Sequence, residues 1–343
     1  MKRRTAGIHC VAVLLLGWLC NEGNADPVYG GADDAAHENT GLGYLTAPSL
    51  SPGHILRPSS IFVPSAIGAR GTERVDFDSH WGNVWNYTPN QYMIDGEWIR
   101  STVRYSYAVK DNVSFGLAVP IVGRTGGFMD SPIEHFHSAF QLGNANRDQF
   151  PRNRSLITVN DKGVARTVVE GDSWGLGDVS GFVQSRLTEG TSVLPAVTFQ
   201  GEMFLPTGNE TELRGMGAPA LAVSSVASKR LGGGPYLMFL GLGFQYCDAD
   251  DIVMIRIRDE QITGLAGVEY QYSKSLGFVV QYLASSAVAK HYYAFAKPSH
   301  EVSAGFKWRV NARESLELAV VENVAVFQNS ADIGVHFAYG RRL

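Results

Sequence analysis

The densest set of chemically competent side chains lies in residues 124–154. Arg124, Arg147, Arg152 and Arg154 are interleaved there with Asp130, Glu134 and Asp148, and Glu134-His135-Phe136-His137 sets carboxylate beside imidazole. These types suit metal ligation, but His135 and His137 are two residues apart, and such residues do not share a helix face. No metal is expected, and His137 is read as a capping or packing residue. Acyl transfer needs a serine and a histidine in reach of each other and a third group to orient the ring. His137-Ser138 and His300-Glu301-Val302-Ser303 carry no recognisable third partner. The run Gly175-x-Gly177-x-x-x-Gly181 opens a strand with no helix after it, so its glycines let the strand bend and do not cradle phosphate. What remains is arginine–carboxylate pairing, for which the planar guanidinium fork is suited because it can bind a carboxylate through two hydrogen bonds.

The elements that must hold these groups announce themselves by a period of two. Val103, Tyr105 and Tyr107 alternate with polar residues, and after the Lys110-Asp111-Asn112 turn so do Val113, Phe115, Leu117, Val119 and Ile121. The same pattern recurs around Val193–Leu205, Leu221–Ala227, Tyr236–Tyr246, Ile262–Tyr272, Leu276–Tyr282, Val302–Val310, Leu316–Val320 and Ile333–Tyr339. Counting from Val75, the alternation predicts twelve strands, each close to the 9–11 residues or slightly more that a tilted membrane strand needs. Short turns alternate with longer links near 88–96, 123–176, 206–216, 248–260, 286–298 and 323–331. That asymmetry predicts an all-β fold, a transmembrane antiparallel up-and-down barrel with both ends of the chain on the periplasmic side. Tyr236, Tyr246, Trp81, Tyr87 and Trp308 are expected in interfacial girdles.

Composition excludes the competitors. Aromatics make up 11% and charged residues 18% of the 343 residues, with 38 glycines. The mean hydropathy of -0.06 is too polar for a helical membrane bundle. A net charge of -4 gives no reason to expect nucleic acid. Lys2, Arg3 and Arg4 precede an apolar run and Gly23-Asn24-Ala25, which reads as a cleaved signal peptide over residues 1–25. Its removal takes three of 29 basic and one of 33 acidic residues, leaving -6 for a chain that begins at Asp26. Only Cys247 survives cleavage, so no intrachain disulfide can form. Residues 26–74 are expected to be periplasmic or to face the lumen, and residues 75–343 to form the barrel.

Residues between the outward apolar ones point inward. Among them are Arg100, Arg104, Asp178, Gln184, Gln200, Glu202, Glu269, Gln281, Glu301, Lys307, Glu317 and His336. Charges in a membrane domain must face one another or water. Two readings stay open, a polar pore or solute site and an internal salt-bridge network bracing a closed barrel. The 54-residue link 123–176 is too long for a connector. Ile133, Phe136, His137 and Phe140 fall at helical spacing, predicting a short amphipathic helix over 131–142 that folds into the mouth, its arginines pairing with carboxylates such as Asp130, Asp148, Asp178 or Glu202.

Asp95-Gly96-Glu97, Asn112-Val113-Ser114-Phe115-Gly116-Leu117, Gly126-Gly127-Phe128-Met129-Asp130, Asn146-Arg147-Asp148-Gln149-Phe150-Pro151 and Gly175-Leu176-Gly177-Asp178 resemble the proteobacterial family catalogued as domain of unknown function 3187. The resemblance extends from about Thr46 onward. It implies an outer-membrane β-barrel of a Gram-negative bacterium and supplies no activity, substrate or catalytic residue. The terminal Gly334-Val335-His336-Phe337-Ala338-Tyr339 is similar to the signal read by the barrel-assembly machinery, although the chain continues to Leu343. The expected partners are membrane lipid, lipopolysaccharide, that machinery and a small solute, with no cofactor. The leading functional reading is a passive or gated channel for small solutes. A closed barrel with a structural or surface-interaction role is the alternative, and a lipid-acting enzyme the third. If the link asymmetry sets the orientation, an epitope tag near Asn209 will be reached by antibody on intact cells and one at Lys274 will not; reversed labelling would overturn it.

Overall fold

The computed structural model describes residues 41–57, 62, 67–139, 146–161, 163–249, 251–252, 255–291, 295–323 and 331–343. The expected signal peptide and Phe140 lie outside these residues, as do the side chains of Phe136 and His137. In chain order the strands are β1 (Glu73–Thr88), β2 (Tyr92–Lys110), β3 (Val113–Thr125), β4 (Leu156–Asp161), β5 (Val164–Glu170), β6 (Ser173–Leu176), β7 (Ser180–Glu189) and β8 (Ala196–Phe204). They continue as β9 (Ala220–Arg230), β10 (Tyr236–Cys247), β11 (Asp251–Ile252), β12 (Ile255–Arg256), β13 (Glu260–Gln271), β14 (Leu276–Ser285), β15 (Ser299–Arg309), β16 (Glu314–Asn323) and β17 (Ile333–Arg342). Helix α1 is Pro52–Leu56 and α2 is Asp130–Ala139.

Twelve of these strands, β1–β3, β7–β10 and β13–β17, form a closed antiparallel barrel. Closure is made by β17 on β1, in register from Arg74 opposite Arg342 to Asn83 opposite Ile333. Because the pleat alternates faces, Val103, Tyr105, Phe115, Leu117, Leu221, Val223, Leu240, Leu242, Val280, Leu318 and Val320 are exposed on the outer wall. Their neighbours Arg104, Ser114, Ser224, Gln281 and Glu317 are buried inside. An exposed apolar belt around a buried polar interior is the reverse of a soluble protein and fits a barrel set in lipid. Tyr236 meets Tyr270 and Tyr272 meets Phe278 at the short-turn end, with Trp308 exposed nearby in register opposite Leu276.

The structure corrects three expectations about the outer end. Residues 88–96 are no long link: β1 and β2 run on past the barrel and are joined by a tight turn at Pro89-Asn90-Gln91, with Asn90 at φ 60°. Trp81 and Tyr87 therefore do not sit in a lipid girdle. Trp81 stacks edge-on against Phe128 at 5.0 Å, and Tyr87 against Phe150 at 4.9 Å, both aromatics of the long link. The link itself contains more strand than helix. β4 adds to the protruding end of β2, β5 adds to β4, and β6 pairs with the outer end of β3.

A closed barrel satisfies its backbone donors between strands and so resists detergent. Unheated protein will migrate differently from boiled protein on a denaturing gel, with a β-rich circular dichroism spectrum; identical migration would contradict a closed membrane barrel.

Candidate functional site

The polar interior is occupied by the chain's own N-terminal segment. Residues 41–51 lie along the inner wall formed by β13 to β17, held mainly through their backbone. Glu269 accepts the N–H of Leu42 on both oxygens and that of Gly43, each at 3.1 Å. Gln281 accepts from Leu45 N at 2.9 Å and donates to Leu45 O at 3.2 Å, meeting both backbone polar groups of one residue. Lys307 donates to Tyr44 O at 2.8 Å, Glu317 accepts from Thr46 N at 2.5 Å, and Glu301 accepts from Leu50 N at 3.0 Å. One side chain is read too. Gly82 and Gly334 face each other across β1 and β17, and a Cβ added at Gly334 would collide with Leu50 Cδ1, so the pair forms a notch that receives Leu50.

The residues that grip the segment also bind one another. Glu317 pairs with Lys307 at 2.9 Å and with His336 Nε2 at 2.6 Å, while His336 Nδ1 meets His80 Nδ1 at 2.8 Å in a stacked ring pair. Thr46 Oγ1 joins this cluster at 3.1 Å from His336 Nε2. Farther along, α1 begins with Pro52 at its first position, where the missing N–H costs nothing. His54 on α1 contacts Gln261 Nε2 at 3.1 Å and Ser299 Oγ at 3.4 Å. Burial holds its imidazole at about 4, below the ordinary 6.5. Arg57, fully buried, donates to the carbonyls of Gln245, Arg258 and Asp259 at the outer end. The segment then returns: Phe62 joins Tyr44, Leu237, Phe239 and Leu265 in one apolar cluster, Ile67 O accepts from Arg186, and Arg70 N donates to Asp111 at the inner turn.

The opposite wall pairs with itself. Arg104 makes a buried ion pair with Asp78, Gln184 donates to Gln200 at 2.9 Å, Gln200 to Glu202 at 3.0 Å, and Ser180 to Glu202 at 2.5 Å. Arg100 is half-buried within electrostatic reach of Asp78, Asp178 and Glu202. Asp178 accepts from Gly208 N at 2.9 Å and Met216 N at 2.7 Å, which ties down the 205–219 loop instead of pairing with an arginine of the link.

The remaining residues singled out in the sequence gather in an outer cap. Arg147 lies over the Trp85 ring and reaches Asn83 and Asp332, each at 2.6 Å, and Asp130 at 3.6 Å. Asp130 also accepts from Asn153 N at 2.7 Å. Arg124 pairs with Glu212 at 3.3 Å, and Arg152 with Glu134 at 2.5 Å on the exposed surface. His135 contacts Ser131 O at 2.8 Å, the preceding turn of its own helix. Arg154 is half-buried and Asp148 exposed, so Asp148 does not join the network. Ile133 on α2 is buried, as the helical spacing required.

Sequence reasoning missed Glu97 as a site residue. It is fully buried and accepts from Trp81 Nε1 at 2.8 Å, Phe128 N at 2.8 Å and Met129 N at 2.6 Å, fixing the approach to α2. Gly127, at φ 62°, permits that approach because any side chain there would overlap the carboxylate. Above these anchors, Ile94, Ile157, Val169, Leu213, Ile255, Ile257, Val288 and Phe295 form one apolar core shared by several outer links.

Comparison with known proteins agrees with this architecture. The family model described as "Protein of unknown function (DUF3187)" matches residues 29–343, and the chain belongs to that family. Its fold is similar to that of the COG4313 outer membrane channel from Pseudomonas putida F1, with a TM-score of 0.55 and 11% identity over 82% of this chain and 100% of that one. The toluene transporter TodX of Pseudomonas putida matches with a TM-score of 0.38 and 10% identity over 92% of this chain and 97% of the other. A search of curated proteins finds no match.

Replacing a wall acceptor leaves buried N–H groups unpaired, at about 1–3 kcal/mol. Glu269→Leu will therefore speed protease cleavage of residues 41–57 in the folded protein while heat-modifiability persists; unchanged cleavage would show that Glu269 does not hold the segment. Acid acts in the same direction through His54. Above about pH 6.5 its ring is neutral whether docked or released; between 6.5 and 4 only a released ring takes up a proton, so docking weakens as pH falls. Cleavage will rise across that window and the rise will shrink in His54→Asn.

Proposed function

We propose that this member of the DUF3187 family is an outer-membrane channel for small solutes, closed in the state described by its own N-terminal segment. The observation that carries the reading is the asymmetry of the lumen. On the β1 to β8 side the polar groups are spent on one another, as a permanent wall would be. On the β13 to β17 side Glu269, Gln281, Glu301 and Glu317 spend theirs on a segment that belongs to no strand of the barrel. A segment held by hydrogen bonds, each contributing about 0.5–1.5 kcal/mol net, can leave without breaking the sheet. The fold shared with an outer membrane channel supports the same reading.

The cap supports a gate in series with the segment. Its arginines hold the long link across the outer end through Asp130, Asp332 and Glu212. The alternative of a closed barrel that meets a surface partner draws on the same cap, whose apolar core makes a firm outer platform. Lipopolysaccharide around the outer rim and assembly through the terminal Phe337 and Tyr339 remain part of the proposal; Phe337 and Tyr339 project outward on β17, where an assembly factor could read them.

Planar-bilayer recording separates the two. Intact protein will show low conductance, and deletion of residues 41–57 will raise it by about tenfold, since the segment occupies the inner wall throughout its length; a deletion of 128–150 will raise it less. Unaltered conductance in both heat-modifiable variants would favour the surface role.

A further inference from the structure

Three features of the molecule offer more than the closed state explains: the buried His80–His336 pair, the outer arginine cap, and the backbone-reading strip of the lumen. The strip goes furthest. Five side chains on four adjacent strands, Glu269 on β13, Gln281 on β14, Glu301 and Lys307 on β15 and Glu317 on β16, contact backbone atoms of residues 42–46 and 50. Gln281 meets both the N–H and the C=O of one residue, the pairing that an amide makes with a peptide. Such contacts ignore side-chain identity.

We infer that this strip is the channel's solute site and that its solutes are short peptides in extended conformation, neutral or cationic. The inference rests on the channel reading above. The chemistry follows from what the wall lacks once the segment withdraws. Glu269, Glu301 and Glu317 then share Lys307, with Arg230 in electrostatic reach of Glu269, and Glu269 alone loses two N–H donors, those of Leu42 and Gly43. A solute that replaces the segment must bring a row of N–H donors at peptide spacing, with carbonyls for Gln281 and Lys307, and little negative charge. A sugar offers hydroxyls without that spacing, and an apolar solute would leave Glu269 and Gln281 without the backbone groups they now bind. A second observation points the same way. Gln245 and Gln261, on β10 and β13 where the segment runs into α1, are 0% and 1% exposed, and their side-chain carbonyls accept no hydrogen bond from the described residues. Both could accept N–H groups from a solute that reaches past the strip. Gly82 and Gly334 add one shallow pocket for a branched apolar side chain, which sets a preference without a strict sequence requirement.

The test uses purified barrel lacking residues 41–57, checked by heat-modifiability, and three fluorescent probes. These are a peptide with the sequence of residues 41–51, an unrelated neutral peptide of equal length, and a linear oligosaccharide of similar length. Both peptides will bind and block conductance, the oligosaccharide will not, and N-methylation at the residue equivalent to Leu45 will weaken binding by about tenfold. Gln281→Leu will abolish that methylation effect. Should the deletion fail to assemble, full-length protein folded with a protease site between Arg70 and Gly71 can be cut afterwards and the segment exchanged against the same probes. Equal binding of the oligosaccharide, or indifference to N-methylation, would overturn the peptide assignment while leaving the channel intact. A barrel that binds the peptides but never conducts would overturn the channel and keep the site.

Discussion

A closed barrel has an inside, and every charge placed there must find a partner where water is scarce. That single constraint orders the molecule. The outer wall needs only apolar residues at every second position, which lipid accepts. The inner wall carries Asp78, Glu269, Glu301, Glu317, Arg104 and Lys307, all buried. Around half the circumference those groups neutralise one another across neighbouring strands. Around the other half they do so only in part: Glu317 pairs with Lys307 and His336, while Glu269 and Glu301 turn to backbone N–H groups. The backbone N–H groups of residues 42–50 supply what is missing, so the N-terminal segment completes the lumen electrostatically as well as sterically.

The same logic explains why the outer end is built on a protrusion. β1 and β2 continue past the membrane wall and give β4 an edge to pair with, and that pairing makes a sheet on which the link can fold. Three polar anchors, Glu97, Asp130 and Arg147, then fix the link to the protrusion, each through several partners. Buried charges in that position are costly to leave unpaired, which favours one arrangement of the link over many looser ones. The cap is therefore a second domain-like layer whose core owes nothing to lipid.

Much of this was legible in the sequence. The twelve strands, their antiparallel order and the polar identity of the inner face followed from a period of two, because lipid and lumen impose opposite demands on alternate residues. Arg104, Arg147 and Asp130, singled out because arginine and aspartate in a membrane domain need partners, each make a buried ion pair. Pairing was not legible. Arg104 takes Asp78, a carboxylate not among those considered, which is its diagonal neighbour because the register of β1 on β2 sets Asp76 directly opposite Arg104. Asp178 serves backbone N–H groups instead of an arginine. For the N-terminal segment the sequence left the periplasm and the lumen both open: Gly41-Leu42-Gly43-Tyr44-Leu45 has no periodicity that betrays a destination, since it is bound through its backbone, which every sequence shares.

Backbone binding also decides what keeps the segment in place. Ordering a residue costs about 1–2 kcal/mol of backbone entropy, while a hydrogen bond returns about 0.5–1.5 kcal/mol. One bond per residue thus roughly offsets the ordering and does not exceed it. The surplus must come from apolar burial, by Tyr44 against Phe239 at 5.7 Å, by Leu45 beside Val279 and Ala319, and by Leu50 in its glycine notch. The two kinds of contact have separable roles. Hydrogen bonds from Glu269, Gln281 and Glu317 fix the register of whatever chain lies on the wall, and the apolar side chains set how long it stays. A solute sharing the backbone but lacking Tyr44 and Leu50 would be aligned by the same wall and released from it sooner, which is the behaviour a transport site requires of its cargo and not of its gate.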